Sequence, residues 1–517
     1  MIAALTAPER TTGFIDPTLL EGYTSEFGLL TRQLNQVIDR PVVLGIDPSI
    51  IASIRVLGSS APASAVAWLD RLDAATNETF PLAWADSDLT LGLQAGSRNA
   101  LAPESFAFAI DPALFSSPVA PTTETPEPTE TPIEDPIEDE PDDTPPPLPT
   151  DESLVAWDYT VAEISWPAMN TVTNVNLERL SENFGTTILS SGNIGSSGSS
   201  TALTTIGEST ALVADEGLSM LFSSTVAAGS GLDWQTAIAG LSAAVSSVQS
   251  TDDRPASVLL ALGREVSMSD PDFGLTVDAL ANIANVQVSG LEELLTTSPA
   301  TATLVDKQHD ETALTSVRTL LAEEAEDAAF SVIAENPSLI TSDRRLDLLA
   351  TLSNGWSENP DGWQAAANDY LAASVALRNS VKIVKSSSIT LWADRASLPV
   401  TVSNELGQPV TVYVTVRPLT PLLKIEDSFV EVVVEPQSQR KASVPVQSLS
   451  NGVVELEVTL HAYTRLPVGD TTFVRTTVQA GWETPFTISF GVLVVLVFAA
   501  GIIRTIVRRR RARASEA

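Results

Sequence analysis

The chain has no cysteine and only two histidines in 517 residues. The first absence excludes disulfides, thiolate zinc sites, iron–sulfur clusters and cysteine nucleophiles. The second rules out an HExxH motif or a His-rich zinc site, so no metal and no cofactor is expected. A Ser-His-Asp triad would have to use His309 or His461. His309 lies in the polar stretch DKQHDET and His461 in the strand-like VTLHAYT, and both read as ordinary surface or sheet-face residues. Bases are scarce as well: 29 against 65 acids give a formal net charge of −36. That balance excludes a nucleic-acid partner, which needs a basic footprint. What remains is a chain with 44% hydrophobic residues, long enough for two or three domains with real cores.

The most specific signal is at the C-terminus. FTISFGVLVVLVFAAGII, Phe486 to Ile503, is eighteen residues without a charge. As a helix it spans roughly 27 Å, about one bilayer core. Trp482 precedes it at the expected interfacial position, and RRRRAR follows from Arg508 to Arg513. These features predict a single transmembrane helix over 484–507 and a basic cytoplasmic tail over 508–517. By the positive-inside rule the bulk of the chain is then extracytoplasmic at the plasma membrane. An exported region needs a signal peptide, and MIAALTAP is not one. The expectation is that the natural chain starts upstream.

Between Ser117 and Thr150 lie ten acids, eleven prolines and no base, a composition that predicts a disordered spacer. On either side the texture is α/β. PVVLGID reads as a strand, and Ala63–Asp73 as a helix with Val66, Leu69 and Leu72 on one face. Later units follow suit: a helix over 175–184, a strand over 186–190, STALVAD running into a helix, ASVLLALGREV, the helix LTVDALANIAN and a short strand over 286–288. Repeated strand–helix units predict a barrel-like domain of parallel strands with helices, occupying 1–116 and 151–385, the spacer 117–150 being an insertion. The pattern over 311–384 is helical. From Ser388 it changes to period two, in LPVTVSNELGQPVTVYVTVRP and later segments, which predicts an antiparallel Ig-like sandwich of about seven strands over 386–483.

RPVVLGIDPSIIASIRVLG, WLDRLDAATNETFPLAWADSDL, SVKIVKSSSITL, LPVTVSNELGQPVTVYVTVRP and the final WE before a span ending in GIIRTIVRRRRAR together carry a resemblance. The chain resembles an uncharacterised family of large actinobacterial membrane-anchored envelope proteins, often encoded next to the lipid II flippase of the MurJ/MviN type. Full-length relatives carry a signal peptide and an N-terminal β-rich region. The resemblance implies work in the cell envelope, with an envelope glycan or a cell-wall assembly protein as partner, and supplies no catalytic residue.

Candidate site residues come from the strand ends, where α/β proteins place their chemistry. Asp47, Asp86, Asp88, Asp215 and Arg264 would converge on one face of a closed barrel. Two such carboxylates are enough for a glycoside hydrolase acting on an envelope glycan. Each also has a structural role open to it: Asp47 precedes a proline in a turn, and Asp215 suits a helix N-cap. With so few histidines to assist a carboxylate, a binding or scaffolding module is expected ahead of an enzyme.

Overall fold

The computed structural model describes residues 1–115, 147–195, 201–248, 256–264, 268–284, 286–385, 388–479 and 483–513. Most of the spacer 117–150, Trp482 and residues 514–517 of the basic tail lie outside the described residues. The chain divides into two units, Met1–Ala325 with Ser338–Ala372, and Glu326–Pro337 with Ala373–Ala517.

In the first unit, strands β1 (Ile2–Leu5), β2 (Val43–Ile46), β3 (Thr79–Pro81), β4 (Ile164–Ser165), β5 (Thr186–Ser190), β6 (Leu203–Ile206), β7 (Ser209–Ala214), β8 (Ala261–Leu262) and β9 (Ala300–Thr301) form two sheets. The first runs β3-β2-β1-β8, with every pair parallel. The second runs β4-β5-β7-β6-β9 and is mixed, because β6 and β7 are antiparallel across a two-residue turn at Gly207, whose φ is +61°. The ladders thus record a mixed α/β unit with two sheets, where the sequence pattern predicts one parallel barrel.

Both faces of the first sheet are buried, so its strands show no polar alternation. Ile2, Ala4, Val43 and Phe80 share a core with Ile164, Ile188, Leu212 and Ala214 of the second sheet. Ala3, Leu5, Leu44 and Ile46 face the other way and pack on helices through Leu20, Leu34, Ile50, Phe222 and Phe273. Two predicted elements hold to the residue in their bounds, the helix Ala63–Asp73 and the strand Thr186–Ser190, although the helix buries Ala65, Trp68 and Leu72 and leaves Val66 exposed. Residues 286–288 are not a strand; Val286 N–H instead closes a turn onto Ile283 O at 3.2 Å. The expected helical stretch 311–384 holds three helices, Glu311–Ser331, Pro337–Thr351 and Pro360–Arg378, but its end is not helical: Val381–Ile383 is a strand.

In the second unit, β10 (Val381–Ile383), β11 (Ile389–Leu391), β12 (Arg395–Asn404), β13 (Val410–Pro418), β14 (Leu423–Ile425), β15 (Val430–Val434), β16 (Ser438–Ser448), β17 (Gly452–His461) and β18 (Pro467–Val478) form a sandwich-like pair of sheets. Their orders are β10-β12-β16-β14 and β11-β18-β17-β13-β15. Nine strands are described where about seven are expected, and β11 pairs with β18 in parallel. Period-two alternation aims Val400, Val402, Val444 and Val446 of one sheet at Val412, Val414, Leu456 and Val458 of the other. The helix Glu483–Arg513 carries a span, Thr487–Arg508, of 22 residues with mean hydropathy 2.5. At about 33 Å it is long and apolar enough to cross a membrane, which indicates membrane association through one C-terminal helix.

Leu44 is fully buried. Leu44→Ala is expected to lower the stability of the first unit by about 2–5 kcal/mol. Hydrogen–deuterium exchange of the β1 and β2 amides in the full chain measures this.

Candidate functional site

Three of the four predicted carboxylates cap helices. Asp47 precedes Pro48–Arg55, Asp88 precedes Leu89–Ala95, and Asp215 precedes Glu216–Val226. The helix-starting amides need an acceptor, and aspartate supplies one. Asp215 accepts from Leu218 N–H at 2.9 Å and is not among the residues lining the cleft described below.

Asp47 is buried and fully engaged. Its Oδ1 accepts from Ser49 N–H and from Ala85 N–H, both at 2.9 Å, and its Oδ2 accepts from Ser49 Oγ at 2.7 Å. Burial pushes its carboxyl above the usual range, against the pull of the Arg10 guanidinium and the Ser49 bonds. It is a tie between the ends of β2 and β3, and the bond to Ala85 holds an unusual turn. Ala85 (φ 54°) and Asp86 (φ 49°) are both left-handed, which costs non-glycine residues about 1–3 kcal/mol each.

That turn delivers Asp86 to Arg264. The guanidinium Nε donates to Oδ2 at 2.9 Å and Nη2 to Oδ1 at 2.7 Å, so both carboxylate oxygens are taken. The two side chains are 3% and 9% exposed. Arg264 also donates to Trp166 O at 3.0 Å and lies 4.1 Å over the Trp166 ring. Asn354 Nδ2 closes the arrangement on Asp86 O at 2.9 Å.

Asp88 is the cap that also faces a ligand-sized space. Its Oδ1 accepts from Thr90 N–H and Thr90 Oγ1, both at 2.8 Å. Its Oδ2 meets His309 Nε2 at 3.2 Å. Burial raises its carboxyl, but the His309 bond and charge and the Thr90 bonds outweigh it and hold the group below the usual range. His309 is therefore no ordinary surface residue: its side chain is 14% exposed and seated on a buried carboxylate.

These groups border a cleft of about 490 Å³ within the first unit, in the range of small-molecule sites. Its polar lining residues include Asp88, Arg264, His309, Ser353 and Asn354, together with the exposed Glu358. Its apolar lining residues include Leu91, Met169, Leu352, Trp356 and Trp363. Both indole N–H groups are tied to backbone, Trp356 to Ala350 O at 3.1 Å and Trp363 to Thr351 O at 3.0 Å. No cluster of metal-ligating side chains occurs among the described residues. Of the five candidates, Asp88 and Arg264 line the cleft and Asp86 is paired to Arg264, while Asp47 and Asp215 do not border it. His309, Asn354 and the two tryptophans, which the sequence reading does not single out as site residues, do line it. The turn-rich stretch NGWSENPDGW, set inside a helical region, is the signal that marks the tryptophans.

Asp86→Asn leaves the Arg264 charge buried without its partner and is expected to cost about 3–5 kcal/mol, against about 1 kcal/mol for the cap lost in Asp215→Ala. Urea unfolding of the full chain separates the two. Asp88 and Asp47 oppose each other in pH. The Asp88 carboxyl titrates lower folded than unfolded, so its contribution is complete above about pH 4 and is lost as pH falls through the folded value. The Asp47 carboxyl titrates higher when folded, so its contribution falls as pH rises from about 4 to its folded value. Stability measured against pH should fall less steeply on the acid side in Asp88→Asn than in the wild type, and no less steeply in Asp47→Asn.

A comparison with curated proteins finds no match. Among solved structures, Escherichia coli alpha-2-macroglobulin in its native conformation is similar at 16% identity and TM-score 0.17, over 20% of this chain and 7% of that one. The PapD-like domain 7 of human CEP192 aligns at 13% identity and TM-score 0.15, over 20% and 85%. WR4, a Caenorhabditis elegans MSP family member, aligns at 5% and 0.16, over 20% and 99%. Scores this low bear on neither fold nor function. The family model of DUF6049 matches residues 15–515, nearly the whole length. The chain therefore belongs to DUF6049, a family of unknown function.

Proposed function

We propose that this is a membrane-anchored, extracytoplasmic binding module of the cell envelope, and that its cleft holds a saccharide unit of an envelope glycan. The observation that carries the reading is the pairing of the strand-end charges in a cleft also lined by two tryptophans. Asp86 gives both oxygens to Arg264, and Asp88 is held by Thr90 and His309. A glycoside hydrolase needs two carboxyl groups that act on substrate and water. Here the buried carboxylates are committed to protein donors, which favours binding over hydrolysis. Trp356 and Trp363, with their N–H groups satisfied, leave ring surface for the apolar faces of a sugar, and Ser353 and Asn354 offer hydrogen bonds to hydroxyls.

A barrel-like closure of the first unit is part of the proposal. It is supported by Val161 N–H donating to Thr79 O at 3.1 Å beside β3 and β4, and by the parallel bridge from Ala214 to Leu259 that links the end of β7 to the approach of β8. The arginine-rich end of the apolar helix supports a plasma-membrane orientation with the short tail in the cytoplasm. A cell-wall assembly protein is the further partner this placement suits.

Calorimetric titration of the full chain in nanodiscs with chitotetraose, maltotetraose and mannotetraose tests the cleft. Binding of at least one is expected, weakened about tenfold or more by Trp356→Ala or Trp363→Ala. Release of reducing ends that Asp88→Asn abolishes would replace binding with hydrolysis. For orientation, protease added to intact protoplasts should digest the first unit; full protection would reverse the topology.

A further inference from the structure

The surroundings of His309 dictate which of its ring nitrogens carries the proton. Nε2 lies 3.2 Å from Asp88 Oδ2 and 2.9 Å from Thr90 Oγ1. The carboxylate only accepts, and the Thr90 hydroxyl hydrogen is directed to Asp88 Oδ1 at 2.8 Å. Thr171 Oγ1, 3.0 Å from Thr90 Oγ1, has its own hydrogen on Ala168 O at 2.7 Å. Nε2 therefore faces two acceptors and must be the N–H. In the neutral ring Nδ1 is then a bare lone pair, and it has no protein partner among the described residues.

The backbone that carries the ring is also held in place, by the main-chain amide of His309. His309 N–H donates to Gln94 Oε1 at 2.9 Å, and Gln94 Nε2 is anchored on Thr171 O at 2.6 Å and Asn176 Oδ1 at 2.9 Å. Capping a helix needs only one acceptor oxygen, and Asp88 does that with Oδ1. Its Oδ2 is committed to orienting His309 at the cleft wall. The other charged groups lining the cleft are Arg264, neutralised by Asp86, and the exposed Glu358; Asp310, next in sequence, is exposed.

We propose that His309 is the specificity-determining acceptor of the cleft: its Nδ1 takes a hydrogen bond from a hydroxyl of the bound saccharide, with Asp88 and Thr90 fixing the tautomer that makes this possible. The proposal rests on the saccharide reading above and sharpens it, since a sugar must present a hydroxyl to His309 while its apolar face meets the tryptophans. His309 is a binding residue in this account, and Asp88 a positioning residue that acts through it.

The tautomer is tested without any ligand. Long-range proton–nitrogen correlation on the full chain in nanodiscs, labelled at histidine, shows two imidazoles, and His461→Gln assigns them. With the buffer alkaline enough that the ring is neutral, a protonated Nε2 and a bare Nδ1 are expected for His309; a neutral ring with its proton on Nδ1 overturns the proposal. His309→Gln then separates recognition from structure, because the glutamine amide still donates towards Asp88 but puts no acceptor where Nδ1 stood. Its unfolding midpoint in urea should stay near that of the wild type, while affinity for the tetrasaccharide that binds falls about tenfold or more. A Gln variant that binds as tightly as the wild type also overturns the proposal. If the wild type binds none of the three tetrasaccharides while His309 shows the Nε2–H form, the saccharide reading fails and, with it, the hydroxyl partner; the tautomer assignment alone survives.

Discussion

The buried pair between Asp86 and Arg264 is the constraint on which the cleft depends. It joins the segment after β3 to the segment after β8, residues 178 positions apart in sequence, through two hydrogen bonds of 2.9 and 2.7 Å. Desolvating two charges is costly, and the arrangement offsets that by satisfying both carboxylate oxygens and laying the guanidinium over Trp166. The approach of Asp86 needs two consecutive left-handed residues, and Asp47 helps to stabilise that turn by accepting the Ala85 N–H. Asp47 thus shapes the site from beneath without bordering it.

The strand-end aspartates share one chemical logic and diverge in what their spare oxygen meets. Each of Asp47, Asp88 and Asp215 satisfies an amide at the start of a helix, which explains why a carboxylate follows a buried strand so often in this chain. The second oxygen of Asp47 goes to Ser49, and that of Asp88 to His309. Only the latter pairing carries a titratable ring to the cleft wall. The difference between a cap and a recognition element is therefore one neighbour, brought from more than 200 residues away.

Local elements were readable where local physics decides them. The helix Ala63–Asp73 has its apolar residues at helical spacing, and Thr186–Ser190 is a short apolar and β-branched run bounded by turn residues. The sandwich strands alternate because one face of each sheet meets water. β1 was harder: four residues buried on both faces have no period to read. Residues 286–288 show the converse, since VQV has strand-like residues but no ladder partner among the described residues. In the site, Asp86, Asp88 and Arg264 stood out as charges ending apolar runs. His309 did not, because a histidine among Lys, Gln and Asp looks solvated until its neighbour across space is known.

By itself the sequence determined the apolar C-terminal helix, the change from α/β texture to period-two strands, and the exclusion of thiol and HExxH chemistry, because each follows from composition or from spacing within about twenty residues. Tertiary structure alone decided that the strands of the first unit lie in two sheets, that Arg264 is matched to Asp86, and that His309 rests on Asp88 beside two tryptophans. The physical reason is that desolvation and hydrogen-bond satisfaction act between groups that meet only when the chain is packed. An aspartate in the sequence is a charge looking for a partner, and the fold supplies which one.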